Sequence, residues 1–389
     1  MSEKVMLVLI GGRSAVPTVA GVLQFLDEVD KIKFILCKGG QYLQYQKNVE
    51  TVIKQNRQDL IFNNETDVIT VDPNKFDEVY MATKKLCQDV KQIKYVNLTS
   101  VPQTMAISVY SYVQEKFKDV LVFSVNTDQS QIIPLVFGRQ PLSFNKRLTV
   151  ENYVAMYGLN IFRRQLVCER YIENTAQYIV DNLEIARKIL YVIRKNSGDA
   201  DTIKTAPKGF NINETEFTKL GVSISDLEGF LQKLESLSLL SKLQKLNGNI
   251  KFRIETKENY SFIAGGWLEV FVYSSAKLCK FDSVEIGVTI DNYRGEIDVF
   301  CLNSANAMIC ECKTGGKLKS KDLYDLVSKA DKLGSNYCVK IFITSEYDID
   351  EEFINTAKNN KVVVVSGDKL MNITEILTKE MQDPTYLRR

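Results

Sequence analysis

Short apolar runs alternate with longer amphipathic stretches through the first third of the chain. Residues 4–10, Lys33-Phe34-Ile35-Leu36, residues 68–71, Tyr95-Val96-Asn97-Leu98 and Val120-Leu121-Val122-Phe123 have strand length and strand composition. Between them, residues 18–29, 42–57, 73–90 and 103–117 read as helices. Strands alternating with helices imply a parallel sheet covered on both faces. In such a sheet a ligand lies at the carboxyl ends of the strands, where strand order reverses. The loops at 11–14, 39–40 and 99–104 are the candidates, because a helix N-terminus offers N–H groups to a phosphate. Neither G-x-G-x-x-G nor G-x-x-x-x-G-K-[ST] occurs, which disfavours a dinucleotide and leaves an unusual phosphate ligand open.

The middle of the chain is less regular. Residues 132–137 suit an edge strand or hairpin, and 149–157 a helix capped by Thr149. Residues 163–196 form one or two helices, with Leu183, Ala186, Ile189, Leu190 and Ile193 on one stripe. The polar stretch 196–201 reads as a linker. Residues 213–254 suggest a winged-helix unit: helices at 214–220 and 225–236, then a hairpin about Asn247-Gly248. The second helix carries Lys233 as its basic residue, so the unit reads as a connector more than as a DNA reader.

The last third reads as helix 262–278, strands 281–290, 295–302 and 307–313, and helix 320–333 with Ser320 as N-cap. Strand 337–344, helix 350–358, strand 362–365 and helix 368–377 follow, and the tail 381–389 is expected to be mobile. The hairpin around 303–306 holds the chain's densest chemistry. Alternation puts Glu296 and Asp298 on one face, and Glu311 and Lys313 on one face of the partner strand. Ile297, Val299, Cys310 and Cys312 turn toward a core. Clustered carboxylates cost free energy unless a cation or hydrogen bonds compensate, and two carboxylates with waters suit Mg²⁺.

Composition narrows the chemistry. At 389 residues the chain can hold two or three domains. No run of about 18 uncharged apolar residues occurs, so no membrane partner is expected. The apolar start is too short for a secretory signal, so the cytoplasm is the expected compartment. The eight cysteines form no C-x-x-C pair and read as small buried hydrophobes. There is no histidine. That excludes Ser-His-Asp and Cys-His nucleophiles, His-ligated zinc and His acid–base catalysis. Hydrolysis would need a metal-activated water or a tuned carboxylate or lysine. The net charge of +2 does not decide for or against a nucleic-acid partner.

Asp298 followed by Glu311-x-Lys313 resembles the PD-(D/E)xK nuclease motif, with Ile297 in place of the proline and Glu269 matching the upstream helical glutamate. The element order resembles the restriction-endonuclease-like αβββαβ core. With a Rossmann-like α/β half before it and a helical, winged-helix-like connector between, the whole chain resembles the CARF-domain PD-(D/E)xK nucleases of type III CRISPR defence. The expected domains are a CARF sensor at 1–150, a connector at 151–256 and a nuclease at 257–389. Asn97-Leu98-Thr99-Ser100-Val101-Pro102-Gln103-Thr104-Met105 lies where that family often has N-x-T-G-G-T-K-x-M. Asn97, Thr99 and Met105 match, while Pro102-Gln103 replaces the Thr-Lys that would meet a phosphate.

The resemblance implies an antiviral endonuclease activated by a cyclic oligoadenylate, cyclic tetra-adenylate foremost, bound across the two-fold axis of a homodimer. It implies cleavage of single-stranded DNA or RNA, or nicking of supercoiled duplex DNA. Asp298, Glu311 and the Cys312 carbonyl would hold Mg²⁺ or Mn²⁺. Lys313 would orient or deprotonate water, and Glu269 and Glu296 would hold outer waters or a second metal. Gly11, Gly12, Arg13, Ser14, Thr99, Ser100, Gln103 and Thr104 would line the activator pocket. The rival readings are a ligand-sensing regulator that uses the winged unit on DNA, and a constitutive restriction or repair nuclease.

Overall fold

The computed structural model describes residues 3–165, 170–197, 208–291, 295–316, 318–334 and 338–386. The N-terminal part runs β1 (Lys4–Ile10), α1 (Val16–Phe25), β2 (Lys31–Cys37), α2 (Gly40–Asn56), β3 (Val68–Val71), α3 (Phe76–Leu86), β4 (Gln92–Asn97), α4 (Gln103–Lys116) and β5 (Leu121–Asn126). These five strands are parallel, and β6 (Gln131–Pro134) and β7 (Leu142–Ser143) extend the edge antiparallel, in the order β3-β2-β1-β4-β5-β6-β7. Alternation along β1 serves both faces. Met6, Val8 and Ile10 pack with α1 and α2, while Val5, Leu7 and Leu9 pack with α3 and α4. The chain goes outward from β1 to β3 and returns to β4, so strand order reverses between β1 and β4. The helix expected from residue 73 starts at Phe76, because the Asn74 N–H donates to Asp72 Oδ1 at 3.1 Å and closes a turn.

The connector holds α5 (Val150–Met156), β8 (Ile161–Arg163), α6 (Arg170–Asp181), α7 (Leu183–Lys195), β9 (Lys208–Asn213), α8 (Thr215–Thr218), α9 (Ile224–Ser236), β10 (Ser241–Leu246) and β11 (Asn249–Ile254). Thr149 caps α5 with a capping box. The winged unit gains a strand that the sequence pattern did not suggest. β9 pairs with β11, placing Phe210 beside Phe252 and Ile212 beside Ile250. The outer side of α9 offers Asp226, Glu228 and Glu235 against Lys233, and Glu228 pairs with Lys245 of the hairpin at 3.0 Å. Of the expected linker, Ser197 is buried at the end of α7, and 198–201 lie outside the described residues.

The C-terminal part comprises α10 (Lys257–Ser261), a π-helical turn (Phe262–Gly266), α11 (Trp267–Leu278), β12 (Ser283–Ile290), β13 (Glu296–Asn303), β14 (Asn306–Lys313), α12 (Ser320–Lys332), β15 (Cys338–Thr344), α13 (Glu351–Asn359), β16 (Val363–Ser366) and α14 (Ile373–Gln382). The sheet order is β16-β15-β14-β13-β12-β8, so the connector supplies the edge strand. α11 and α14 cover one face; α12 and α13 cover the other. Two expectations need correction. Lys319, not Ser320, is the N-cap of α12, and its N–H donates to Asp322 Oδ2 at 3.3 Å. The tail does not loosen at residue 381: Met381 is buried in α14, while 387–389 lie outside the described residues. Among the described residues no helix is long and apolar enough to cross a membrane.

One apolar layer joins the two sheets through α5. Tyr153, 1 % exposed, meets Phe300 of β13 edge-on at 5.9 Å and donates its hydroxyl to the Leu333 carbonyl at 2.7 Å. On the other side Asn48 of α2 donates to the Met156 carbonyl at 2.9 Å. Tyr153→Ala removes a buried ring and orphans its acceptor, so it should lower unfolding stability by about 3–5 kcal/mol in urea titrations. A loss below about 1 kcal/mol would show that α5 is not the joint between the sheets.

Candidate active site and ligand pocket

The β13–β14 ladder runs from the Asn303↔Asn306 pair to the Val299↔Cys310 pair, and beyond that the two strands carry no further registered pairs. Asp298 stands at the opening, and its Oδ2 accepts the Cys312 N–H at 2.6 Å. The simple alternation expected of β13 fails here. Ile297 joins Val288 and Ile290 in the layer under α12, whereas Val299 and Cys301 face α11. On the neighbouring strand Gly287 has φ +59°, and a Cβ there would crowd the Glu296 carboxylate. Glu296 is therefore exposed and Asp298 half-buried, not two equivalent positions on one face.

Glu311 is the most buried acid of the group, 6 % exposed. Its Oε1 lies 3.2 Å from Lys313 Nζ, and its Oε2 accepts from Lys329 Nζ at 2.6 Å. Lys329 comes from α12, is 8 % exposed and also donates to the Glu296 carbonyl at 2.6 Å. Sequence reasoning missed it. The available signal was a lysine on the apolar stripe of Leu323, Leu326, Ala330 and Leu333, a position where a charge requires a partner. Glu269 projects from the first turn of α11. Burial, then the charges of Glu296 and Glu311, raise its carboxyl to about 7. Burial, with Glu311 and Glu269 nearby, holds Asp298 well above the usual carboxylate range. Burial opposes charge on Lys313, but the Glu311 carboxylate outweighs it and raises the ammonium pKa. The Cys312 thiol is buried on the α11 side and raised well above its ordinary value by burial, so its side chain stays out of the cluster.

Arg194 of α7 ties the two halves of this site together. Its Nη1 donates to the Thr314 carbonyl at 2.7 Å and the Ala264 carbonyl at 3.1 Å. Thus the loop after Lys313 is fixed to the turn before the Glu269 helix.

Among the described residues no three carboxylate or thiol groups form a full protein cage for a cation. Mg²⁺ does not need one: it takes one or two carboxylates and keeps several waters. Asp298 and Glu311 supply that pair. Burial first, and neighbouring carboxylates second, disfavour the charged forms of Glu269 and Asp298, and a divalent ion beside them would favour those forms. The donor set therefore fits such an ion.

A cavity of 580 Å³ lies where the strand order reverses, lined by Gly11, Gly12, Arg13, Ser14 and Ser100, with Tyr42, Pro102, Thr127, Tyr153 and Tyr157 around it. A Cβ on Gly12 would strike the Ser100 carbonyl, so glycine there lets the β1 and β4 loops touch. The remaining expected residues do not line it. Thr99 is 1 % exposed, its hydroxyl donating to Asn97 Oδ1 at 2.5 Å and accepting from the Val125 N–H at 3.0 Å. Gln103 and Thr104 begin α4 outside the lining. The far wall is Ala305 and Asn306, the tip of the β13–β14 hairpin. Ser304 and Ala305 both have left-handed backbones, φ 51° and 69°, which for side chains other than glycine costs roughly 1–2 kcal/mol each. The tip is held by Asp282, whose Oδ2 accepts the Ser304 N–H at 2.7 Å, and by a hydroxyl bond between Ser130 and Ser304.

Two outcomes follow for the carboxylate cluster. Lys329→Met leaves Glu311 buried with one ammonium fewer and should destabilise the protein by about 3 kcal/mol, while adding Glu311→Gln should recover much of the loss in a double-mutant cycle. Additive losses would break the proposed pairing. Glu269 gives a pH signature. With its carboxyl raised from 4.5 to about 7, the folded protein keeps a proton that the unfolded chain has released, so stability falls as pH climbs through that window. In metal-free buffer Glu269→Gln should remove about 3 kcal/mol of that fall between pH 4.5 and 8, read from urea midpoints. An unchanged slope would mean that Glu269 is solvated.

Residues 6–153 match the family model of the Card1 CARF domain, and residues 256–383 match that of the Card1-like endonuclease domain. Among solved structures, protein VC1899 from Vibrio cholerae has a TM-score of 0.72 at 16% identity over 99% of each chain. Can2 from Sulfobacillus thermosulfidooxidans, in complex with cyclic tetra-adenylate, has a TM-score of 0.68 at 15% identity over 98% of each chain. A type III CRISPR defence DNA nuclease activated by cyclic oligoadenylate has a TM-score of 0.52 at 12% identity, covering 90% of this chain and 46% of its own. This chain thus spans about half of that last protein, and at such identities the likenesses establish the fold. No curated protein matches the chain at a significant level. With both domain models matched in this order, the chain belongs to the Card1-type family, in which a CARF domain is joined to an endonuclease domain.

Proposed function

We propose that the protein is a metal-dependent endonuclease of antiviral defence, switched on by a cyclic oligoadenylate, cyclic tetra-adenylate foremost. The observation that carries this reading is the meeting of Asp298, Glu311 and Lys313 at the open end of one hairpin inside an endonuclease domain. Residues 1–150 act as sensor, 151–256 as connector and 257–389 as nuclease. The working form is a cytoplasmic homodimer, and the substrate is single-stranded DNA or RNA, or supercoiled duplex DNA.

Asp298 and Glu311, with the Cys312 carbonyl, would hold Mg²⁺ or Mn²⁺, which when bound would supply a Lewis acid and lower the pKa of water. Lys313 sits on the same opening with its ammonium 3.2 Å from Glu311, placed to stabilise negative charge growing on a phosphate and to orient the attacking water. Glu269 projects from the first turn of α11 toward the same cluster and would hold water on that side. The chain has no imidazole to do this.

Control follows from where the cavity lies. An activator shifts the equilibrium only through contacts that differ between the resting and active states. The cavity wall at Ala305-Asn306 is one end of the hairpin whose other end carries Asp298 and Glu311. A ligand that presses on or binds this tip therefore acts on the element that places both acids.

The test is cleavage of labelled single-stranded DNA, RNA and supercoiled plasmid in Mn²⁺, with and without each cyclic oligoadenylate. Cleavage should need both metal and ring. Glu311→Ala and Lys313→Ala should each lower it by about 100-fold or more. Arg13→Ala should raise the activator concentration needed by about 10-fold with Mn²⁺ binding intact. Full activity in both nuclease-site variants would defeat the site, and equal cleavage without any ring would defeat the switch.

A further inference from the structure

A groove of 320 Å³ runs beside the loop that follows Lys313. One wall is Gly315-Gly316; the other is α7, which presents Arg187, Lys188, Tyr191 and Arg194, and Leu220 and Glu346 complete the lining, the Glu346 carboxylate paired with Arg187. Spacings of four, three and seven residues put Arg187, Tyr191 and Arg194 on one face of that helix. Arg194 is committed to the Thr314 and Ala264 carbonyls, so this face is fixed directly to the catalytic loop. Gly315 and Gly316 have φ 68° and 84°, and a Cβ on Gly316 would meet nothing within 4 Å, so the groove is open there.

Two features of the groove call for a ligand. Arg187 stacks its guanidinium on Tyr347 at 5.0 Å and pairs through Nη1 with Glu346 at 3.3 Å. Its Nε is buried and has no hydrogen-bond acceptor among the described residues. A buried donor in that state costs free energy, so the Arg187 guanidinium is under-satisfied where it lines the groove. Tyr191 is 49 % exposed, an aromatic ring open to solvent amid cations. Beside it Lys188 makes, among the described residues, a 3.4 Å contact to Glu184, one helical turn away. Cationic side chains interleaved with an open aromatic are what a nucleic-acid strand recognises: phosphate on the cations, base on the ring. In a duplex the base faces are already stacked, so the ring favours an unpaired strand.

We propose that this groove holds the segment of single-stranded substrate next to the scissile phosphate. A phosphate sits against Lys188 and the exposed part of the Arg187 guanidinium, and a base stacks on Tyr191. α7 is then part of the substrate site, and the connector presents the strand to the catalytic loop. The proposal rests on the nuclease reading above, and the test separates the two.

Full-length protein in EDTA with cyclic tetra-adenylate is titrated into fluorescein-labelled single-stranded DNA and RNA 15-mers and a paired 15-mer, followed by anisotropy at several salt concentrations. Tyr191→Ala should weaken single-strand binding by about 10-fold or more, and Tyr191→Phe should restore it. Lys188→Ala should flatten the salt dependence by about 0.7 in log–log slope. Thermal midpoints and Mn²⁺ binding should stay at wild-type values, since both side chains lie outside the carboxylate cluster. If wild type cleaves but Tyr191→Ala and Lys188→Ala bind single strands with wild-type affinity and salt slope, the groove assignment is overturned and the nuclease reading stands. An equal Tyr191→Ala loss on the paired 15-mer would overturn the stacking role. If wild type neither binds nor cleaves any nucleic acid with metal and ring present, the underlying reading fails as well.

Discussion

The C-terminal sheet depends on how it keeps Glu311 charged inside the protein. Each oxygen of that carboxylate meets a different ammonium, Lys313 from its own strand and Lys329 from α12. A buried acid with one partner removed costs several kcal/mol, which is why the α12 lysine is fixed by a second bond to the Glu296 carbonyl. That bond in turn holds the start of β13 against α12. The same contacts that compensate the charge thus define where β13 parts from β14. The opening is a consequence of electrostatics as much as of strand pairing.

The second constraint is mechanical. β13 and β14 form one hairpin with two unlike ends. At one end Asp298 accepts the Cys312 N–H across the opening; at the other, two left-handed residues without glycine's freedom form the wall of the cavity at the β1 and β4 loops. Asp282, Ser130 and the Thr127 carbonyl, which accepts from Asn306, hold this turn in place. Strain stored at the contact between two domains is a sound place for a switch, since little binding energy is needed to change the balance there. The apolar layer through Tyr153 packs the rest of the interface closely, so the tip lies at the edge of a well-packed joint.

Much of this was legible in the residues because the signals were local. The parallel strands are apolar on both faces, the Asn247-Gly248 turn marks its hairpin, and Glu311-x-Lys313 stands two residues apart on one strand. What was not legible depended on distant partners. Lys329 takes its meaning from Glu311, eighteen positions away, and the broken alternation at Asp298 is matched by a left-handed glycine on a different strand. β9 was missed because Lys208-Gly209-Phe210-Asn211 lacks β-branched residues, and only pairing with β11 makes it a strand. Thr99 matched a family pattern, but Asn97 beside it offers a nearer partner, and a buried hydroxyl takes the nearest acceptor.

The connector is the part whose role changes most on this view. Its sequence suggested a connector, yet β8 completes the edge of the C-terminal sheet, and α7 carries the arginine that fixes the loop after Lys313. An insertion that merely separated two domains would have no reason to bury a guanidinium against two backbone carbonyls, because desolvating that charge is unfavourable unless the geometry it fixes matters. The winged unit shares its core with α7 and α11, so its small sheet serves as a buttress for that helix. Packed in this way, it is well suited to hold rigid the face of α7 that looks onto the site.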